Sequence, residues 1–584
     1  MLLLGSLLAL VAGRLVWIQV VQASELARIA QRQRTRDIEL PARRGSIFDR
    51  EGQPLAVTSD AKTIYAVPDE IEDATATASA LAKVLGGKSK DYIGKVDGKG
   101  QFSYVARKVD PERAAAVDKL DLPGIYFLDD SRRTYPGGTL ACQVVGFVGV
   151  DATGLAGIER QYDTVLAGTP GRSVAERDPQ GRVIPGGIIT ALEPVDGEDI
   201  YLTIDNDIQY RAQIELAAAV RKFGAKGGSV VVMVPDTGEI LAIASTPYFD
   251  PNQYGKATQS AMRNRAITDS YEPGSTIKAM TAAASIDAGL FTPSSVFRLP
   301  PTLKIGGRTI HEAHARGTVD YTLAEIVTKS SNIGAVKIGI ALGKTRLADY
   351  FTAFGLSQRT GVDFPGETKG SMPAVSTWSD STIANIPFGQ GLSVTPLQLA
   401  RALSAIANGG TLVTPHFLYK QGSVPSTFTV SAQRVISSDA ASATVLMLTD
   451  VVREGTGTEA KVKGYEVAGK TGTAQKARTD GKGYMTGGVY VSSFAGFLPA
   501  GDPQVLIVIT IDEPSKGGLY GGTVAAPAFS RLAAFCVSHL RITPAPSVGR
   551  SASTAKDSKT TGNGRAHTSS ETSSAVLDST APDE

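Results

Sequence analysis

The stretch Tyr271-Glu272-Pro273-Gly274-Ser275-Thr276-Ile277-Lys278-Ala279-Met280 sets a serine and a lysine three residues apart where a helix begins. Pro273-Gly274 is a turn that cannot sit inside a helix, and the Ala-rich run over 279–290 reads as a well-packed one. Ser275 therefore falls in the first helical turn, and the i, i+3 spacing puts Ser275 and Lys278 on one face. A serine hydroxyl is a weak nucleophile at neutral pH and needs a base. Lysine can be that base only where burial or a neighbouring cation makes its neutral form accessible. The first turn also leaves backbone N–H groups free to stabilise an oxyanion.

Ser-x-x-Lys is a cheap pattern, and roughly two matches are expected by chance in a chain of this length. Ser59-Asp60-Ala61-Lys62 and Ser553-Thr554-Ala555-Lys556 match equally well, the first in an apparent strand and turn region, the second in a low-complexity tail. Two motifs downstream of Ser275 single it out. Ser330-Ser331-Asn332 supplies Ser-x-Asn, and Lys470-Thr471-Gly472-Thr473 supplies Lys-Thr-Gly further on. Together and in this order they resemble the active-site set shared by penicillin-binding proteins and serine β-lactamases.

At 584 residues, 42% of them hydrophobic, the chain is long enough for two or more domains with substantial cores. A net charge of +2, from 59 basic and 57 acidic residues, gives no case for nucleic acid as a partner. Cys142 and Cys536 stand far apart with no second member of a CxxC pair, which excludes a disulfide framework and a cysteine metal site; no metal or cofactor is expected. His311-Glu312-Ala313-His314 lacks the spacing of a zinc helix, which would need histidine at Ala315, and reads as a surface loop.

Residues 1–22 carry one charge, Arg14, and are long enough to cross a bilayer, so they read as a single-pass membrane anchor with the bulk of the chain extracytoplasmic; a signal peptide cleaved near Val21-Gln22-Ala23 is the rival, disfavoured because the segment stays apolar past Arg14. No basic residue precedes this segment, whereas Arg14, Arg28, Arg32, Arg34 and Arg36 come within or after it. Positive-inside counting taken alone argues against an exported bulk, and a natural start upstream of Met1, with a basic cytoplasmic tail, is the hypothesis that reconciles it with the anchor. Residues 23–200 are Gly-rich and mixed α/β, with a helical pattern over 69–85 and no catalytic constellation; they read as a scaffold or partner-binding module.

Over 201–543 the pattern gives a helix at 207–223 and a hairpin of strands 229–234 and 239–245. A largely helical stretch runs to about 408, and strands return at 464–474, 489–498 and 504–512. The fold class predicted is multidomain α+β, with helical material inserted in an antiparallel sheet. Lys470-Thr471-Gly472 then lies on a strand whose backbone can run along an extended peptide. Residues 544–584 are Ser/Thr-rich and lack aromatics, the composition of a disordered tail.

With these residues in view, the chain resembles a class B penicillin-binding protein, a bitopic peptidoglycan D,D-transpeptidase, from its start to about residue 540. Arg44-Gly45-Ser46-Ile47-Phe48-Asp49-Arg50 matches the family's Arg-Gly-x-Ile-x-Asp-Arg signature, and Gly157-Ile158-Glu159 matches another; β-lactamases lack both. Asn264-Arg265-Ala266-Ile267-Thr268-Asp269 leading into Glu272 resembles the septal, cell-division branch.

The resemblance implies a non-catalytic dimerisation or pedestal module over 23–200 and a penicillin-binding, β-lactamase-like transpeptidase domain over 201–543. It implies that Ser275 attacks the penultimate D-alanine carbonyl of a stem peptide, that Lys278 takes its proton, and that Ser330 relays a proton to the leaving amine. Asn332 would hold the substrate amide and orient Lys278. Lys470, Thr471 and Thr473 would bind the terminal carboxylate, with Gly472 between them, and the N–H groups of Ser275 and Thr473 would form the oxyanion hole.

Implied partners are acyl-D-Ala-D-Ala stem peptides, β-lactam antibiotics, a polytopic glycan polymerase and other division proteins. Competing readings are a catalytically idle penicillin-binding scaffold or sensor, and a serine β-lactamase. Phe388-Gly389-Gln390-Gly391 matches a family segment beside the active site and reads as structural support. The segment 311–316 departs from the Asp-containing loop the family has there, so no function is carried onto it.

Overall fold

The computed structural model describes residues 2–26, 28, 35–100, 102–177, 183–425, 428, 430–478 and 483–549. Most of the expected tail, from position 550 on and including Ser553 and Lys556, lies outside the described residues. At the N-terminus an α-helix over Leu2–Val16 continues into a π turn at Trp17–Val21. Leu3–Val21 is apolar and long enough to cross a membrane, and none of it is buried against the rest of the chain.

The N-terminal half is built around strands Ile47–Phe48, Pro54–Ala66, Ser103–Val109 and Ile125–Thr134. Ile64, Ala66, Val105 and Ile125 pack one face of this sheet against Ala78, Leu81 and Val117 of the covering helices. The helix predicted over 69–85 starts at Ala74, because Asp73 caps it by accepting from Ala76 N–H. Ile200–Leu202 joins the same sheet, parallel to Ile47–Phe48, and Leu418–Gln421 pairs with it from the C-terminal half.

The two N-terminal signature segments meet in the interior. Arg44 Nε donates to Glu159 Oε2 at 2.8 Å and its Nη1 to Asp163 Oδ1 at 2.7 Å, while Arg133 Nε donates to Glu159 Oε1 at 2.7 Å. Glu159 is fully buried, so its desolvation is offset only because both oxygens hold a guanidinium.

In the C-terminal half, α1 (Asn206–Lys222), β1 (Gly227–Met233), β2 (Ile240–Thr246), α2 (Lys278–Asp287), α3 (Asn332–Leu342), β3 (Ala468–Gln475), β4 (Tyr490–Leu498), β5 (Val505–Asp512) and α4 (Ala526–His539) make the framework. The sheet order is β2-β1-β5-β4-β3, antiparallel throughout. Side chains alternate between its faces: Val230 and Val232 pack with α1 and α4, and Val231 and Met233 pack with the helical insert. Both faces being covered, the strands read as unbroken apolar runs. β3, which carries Lys470, is the edge strand, and the insert rises beside it.

Two details differ from the sequence reading. The helix predicted over 279–290 spans Lys278–Asp287, and Ser275 sits in a 3-10 turn, Gly274–Ile277, that leads into it. The helix stops where Gly289 turns left-handed at φ +67°. The stretch expected to be largely helical also contains four short strands: Val296–Leu299 pairs with Val319–Thr322, and Thr302–Ile305 with Arg308–His311.

Candidate active site

The turn that carries Ser275 is pinned from beneath. Gly274 N–H donates to Gly389 O at 3.0 Å, and Thr281 Oγ1 donates to Pro387 O at 2.9 Å. Gly389 adopts φ +87°, and a Cβ there would lie 2.0 Å from Gly274 O, so only glycine lets the 386–391 segment approach this closely. The expectation that Phe388-Gly389-Gln390-Gly391 is structural support thus acquires a definite contact. Gly472 has the same duty on the other side, since a Cβ would meet Ser493 Oγ at 2.3 Å and Pro273 O at 2.9 Å.

Ser330 precedes α3 with φ +59°, an uncommon conformation for a residue with a side chain, and it turns both its carbonyl and its hydroxyl toward Lys278. Lys278 Nζ donates to Ser330 O at 2.6 Å, to Ser330 Oγ at 3.2 Å and to Asn332 Oδ1 at 2.8 Å. From β3, Lys470 Nζ reaches the same hydroxyl at 3.0 Å. Ser330 Oγ therefore bridges the amino groups of the two lysines, with Ser275, partly exposed, on the turn before Lys278. Thr471 Oγ1 lies 3.3 Å from Lys470 Nζ and 2.7 Å from Thr456 Oγ1, and Thr473 Oγ1 accepts from Gly521 N–H at 3.0 Å.

The electrostatics are set by burial. Both lysines are almost wholly inaccessible, 2% for Lys278 and 1% for Lys470. Desolvation drives the Lys278 ammonium well below its ordinary range; Lys470 pushes the same way, and Glu312 opposes. Desolvation alone lowers Lys470 to about 7. A buried lysine surrounded by acceptors, with its ammonium disfavoured, has the chemistry to take a proton from a neighbouring hydroxyl.

The sequence reading left Glu312 out, and the structure puts it in the site. Its Oε1 accepts from Ser331 Oγ at 2.5 Å and from Arg316 Nη2 at 2.5 Å, and its Oε2 accepts from Asn332 N–H at 2.7 Å. His311 O accepts from Asn332 Nδ2 at 2.9 Å, which fixes the amide so that Oδ1 faces Lys278. The 311–316 segment is thus the wall that holds the Ser-x-Asn turn, not a free surface loop. A carboxylate on the residue just after a hairpin strand has no motif, and only its contacts reveal it.

Two family models match this chain: the penicillin binding protein transpeptidase domain over residues 228–534 and the penicillin-binding protein dimerisation domain over 39–202. The chain belongs to the class B penicillin-binding proteins. It is 36% identical over 546 residues to the peptidoglycan D,D-transpeptidase FtsI of Escherichia coli K12, covering 92% of this chain and 90% of that protein. It is also 36% identical over 538 residues to the stage V sporulation protein D of Bacillus subtilis, covering 90% and 83%. The crystal structure of penicillin binding protein 3 from Mycobacterium tuberculosis complexed with ampicillin aligns with a TM-score of 0.70 at 33% identity, covering 88% of this chain and 99% of that one. As a class B penicillin-binding protein, this chain carries all three family motifs within one bonded cluster.

Proposed function

We propose that this protein is a peptidoglycan D,D-transpeptidase that crosslinks stem peptides through a serine acyl-enzyme at Ser275. The observation that carries the reading is Ser330 Oγ held between Lys278 and Lys470, one turn from Ser275. In the forward step Ser275 Oγ adds to the carbonyl of the penultimate D-alanine while Lys278, in its neutral form, takes the hydroxyl proton. The oxyanion is stabilised by the N–H groups of Ser275 and Thr473. The proton passes through Ser330 Oγ to the amine of the departing D-alanine as the C–N bond breaks. Lys470, Thr471 and Thr473 hold the terminal carboxylate, and Gly472 keeps the edge of β3 open to the peptide backbone. An amine of a neighbouring stem then takes the acyl group and restores the serine. Beside the turn, a cavity of about 570 Å³ lined by Tyr271, Glu272, Gln475 and Lys476 has room for the rest of a stem peptide.

Slow hydrolysis of the acyl-enzyme, as a transpeptidase and not a β-lactamase requires, is supported by the state of Glu312. Both of its oxygens are occupied by Ser331, Asn332 and Arg316, so it is not free to activate water. Mass spectrometry of the full-length protein in detergent after benzylpenicillin tests this. A stable adduct on the peptide carrying Ser275, absent from Ser275→Ala, is expected; hydrolysed antibiotic without adduct would point to a β-lactamase, and intact antibiotic without adduct to an idle scaffold.

We further propose that residues 1–22 anchor the protein in the cytoplasmic membrane, that 23–200 form the partner-facing pedestal for a glycan polymerase and division proteins, and that 201–543 act at the septum. The likeness of residues 264–275 to the septal branch supports the last point. Replacement of the wild type by Ser275→Ala at equal protein level should block division, and growth with normal septa would reject a catalytic role there.

A further inference from the structure

A cavity of about 390 Å³ opens on the seam between the two halves. The end of strand Ile125–Thr134 and the 148–152 loop wall it from the N-terminal half, and Asn252 and Tyr254, in the turn Pro251–Lys256, wall it from the catalytic half. Asn252 and Tyr135 hold this seam through two hydrogen bonds of 3.0 Å, and Tyr254 stacks on Phe147 with centroids 4.5 Å apart. The described lining includes Arg44, Lys108, Arg132 and Arg133 and no carboxylate.

The donors of these cations are not all spent. Arg44 gives its guanidinium to Glu159, Asp163 and Ala152 O. Arg133, whose side chain is 3% exposed, commits Nε to Glu159 and Nη1 to Gly45 O at 2.7 Å and Thr58 Oγ1 at 2.9 Å. Its Nη2 is buried and has no partner among the described residues, which makes it the donor left for the cavity that Arg133 lines. A buried cationic N–H without an acceptor carries an uncompensated desolvation cost, and an anion removes it. Lys108 adds a second donor. Its Nζ donates to Ser131 O at 2.7 Å and lies 3.4 Å from Asp130 Oδ1, so one of its three N–H bonds is unspent. Lys108 has φ +56° and stands in a bulge, where Arg107 and Lys108 together face Thr63, and a bulge of this kind re-aims a side chain. Arg132 adds positive potential, and its pair with Asp110 is exposed on both sides and holds it weakly.

We infer that this cavity binds a phosphate monoester on a small polar body, with the phosphoryl oxygens on Arg133 Nη2 and Lys108 Nζ. A lining with several cations and no carboxylate favours a dianion over a monoanion, and a phosphate monoester carries nearly two negative charges at pH 7. A bare ion would not fill about 390 Å³, whereas a phosphate with a sugar- or glycerol-sized body falls in the range of small-ligand pockets. The ester comes from a soluble sugar phosphate or from a lipid headgroup. This site is independent of Ser275 and of the acyl-enzyme reading.

The test is isothermal titration calorimetry of the full-length protein in detergent, in phosphate-free buffer of fixed ionic strength. The probes are glucose 1-phosphate, dihexanoyl phosphatidic acid and acetate. At least one ester should bind the wild type with a Kd below about 1 mM, and acetate should give no heat. Tighter binding of the sugar phosphate assigns the source to a soluble ester, and tighter binding of the phosphatidic acid assigns it to a lipid headgroup. Lys108→Gln should weaken the ester by about tenfold or more. Arg133→Lys keeps a charge for Glu159 but removes the free guanidinium nitrogen, and it should weaken binding likewise. Thr134→Glu places a carboxylate in the lining without touching the Glu159 cluster and should abolish binding. The bound ester should raise the melting temperature of the wild type and leave that of Thr134→Glu unmoved, because a ligand of the folded state stabilises by mass action.

No heat from either ester in the wild type, equal binding of acetate, or undiminished binding in Lys108→Gln and Thr134→Glu would each overturn the site. Melts without ligand identify any variant that fails to fold, and Thr134→Glu, at a partly exposed position, keeps the site testable if Arg133→Lys does not fold. Labelling of Ser275 by a fluorescent penicillin in the same samples reports the acyl-enzyme separately. Loss of that labelling with ester binding intact would overturn the acyl-enzyme reading and not this site.

Discussion

Lys470 shows how burial sets both the activity and the stability of the site. Its folded pKa, lowered to about 7, lies below the ordinary lysine value of 10.5. Between those values the unfolded chain binds the extra proton, so this residue opposes folding near neutrality, and stability rises with pH across the window from about 7 to 10.5. Lys470→Met should therefore raise unfolding stability at pH 7 by about 1 kcal/mol in calorimetry while abolishing acylation. For the free enzyme, kcat/KM should fall above about pH 7 as Lys470 loses its charge. Lys470→Arg, which stays charged, should move that falling limb to higher pH at reduced rate. Glu312 works in the other direction on Lys278, since its charge favours the ammonium. Glu312→Gln should shift the rising limb of the acylation profile to lower pH, and Glu312→Ala should slow acylation by about 100-fold by freeing Asn332 and Ser331. A rate loss with no movement of the limb would reduce Glu312 to a scaffold residue. Lys278 and Lys470 were legible because their neighbours recur at fixed offsets. Glu312 was not, because its role is a side-chain contact about twenty residues along the chain, and sequence spacing carries no trace of it.

At the scale of single elements, the strands and helices of the catalytic sheet were readable to within a few residues. Their apolar runs are continuous, and their boundaries coincide with Pro and Gly or with capping side chains such as Asp205, which accepts from Asp207 and Ile208 N–H. The insert was harder. Thr302–Ile305 and Arg308–His311 alternate weakly between apolar and polar residues, yet Gly306-Gly307 between them, at φ +54° and +73°, is the two-residue turn of a tight hairpin. That pair was the available signal, and the helical character of the flanking sequence masked it. The 386–391 segment illustrates the converse, a loop whose element-level role depends on one atom's absence. Gly389→Ala should cost about 3 kcal/mol of stability, because neither Gly274 O nor the left-handed backbone can yield cheaply. It should also displace the Ser275 turn and slow benzylpenicillin acylation at least tenfold, measured by stopped-flow quenching. Normal acylation in that variant would show that the segment does not position the nucleophile.

Across the whole molecule, the N-terminal half and the catalytic half share structure that neither can complete alone. Leu418–Gln421, a short polar strand with no signal of its own, enters the N-terminal sheet through Ile200–Leu202. Gln143 Nε2, from the N-terminal half, donates to the carbonyls of Ser245, Pro247 and Ala261 at 3.0–3.1 Å. Tyr135 and Asn252 exchange two hydrogen bonds of 3.0 Å across the same boundary. Buried acceptors left open by separation of the halves carry the full desolvation penalty, so the two should unfold together. The ion cluster at Glu159 makes this measurable far from Ser275. Glu159→Ala leaves Arg133 buried without its carboxylate and Arg44 with Asp163 alone, and should cost about 3–5 kcal/mol. If the halves are one cooperative unit, the temperature at which Ser275 stops accepting a fluorescent penicillin should fall by the same amount as the temperature at which protease cuts the N-terminal half. If acylation instead outlasts the proteolysis of that half, the shared strand and the Gln143 bonds contribute too little to couple them, and the pedestal is a separate folding unit joined only by the chain.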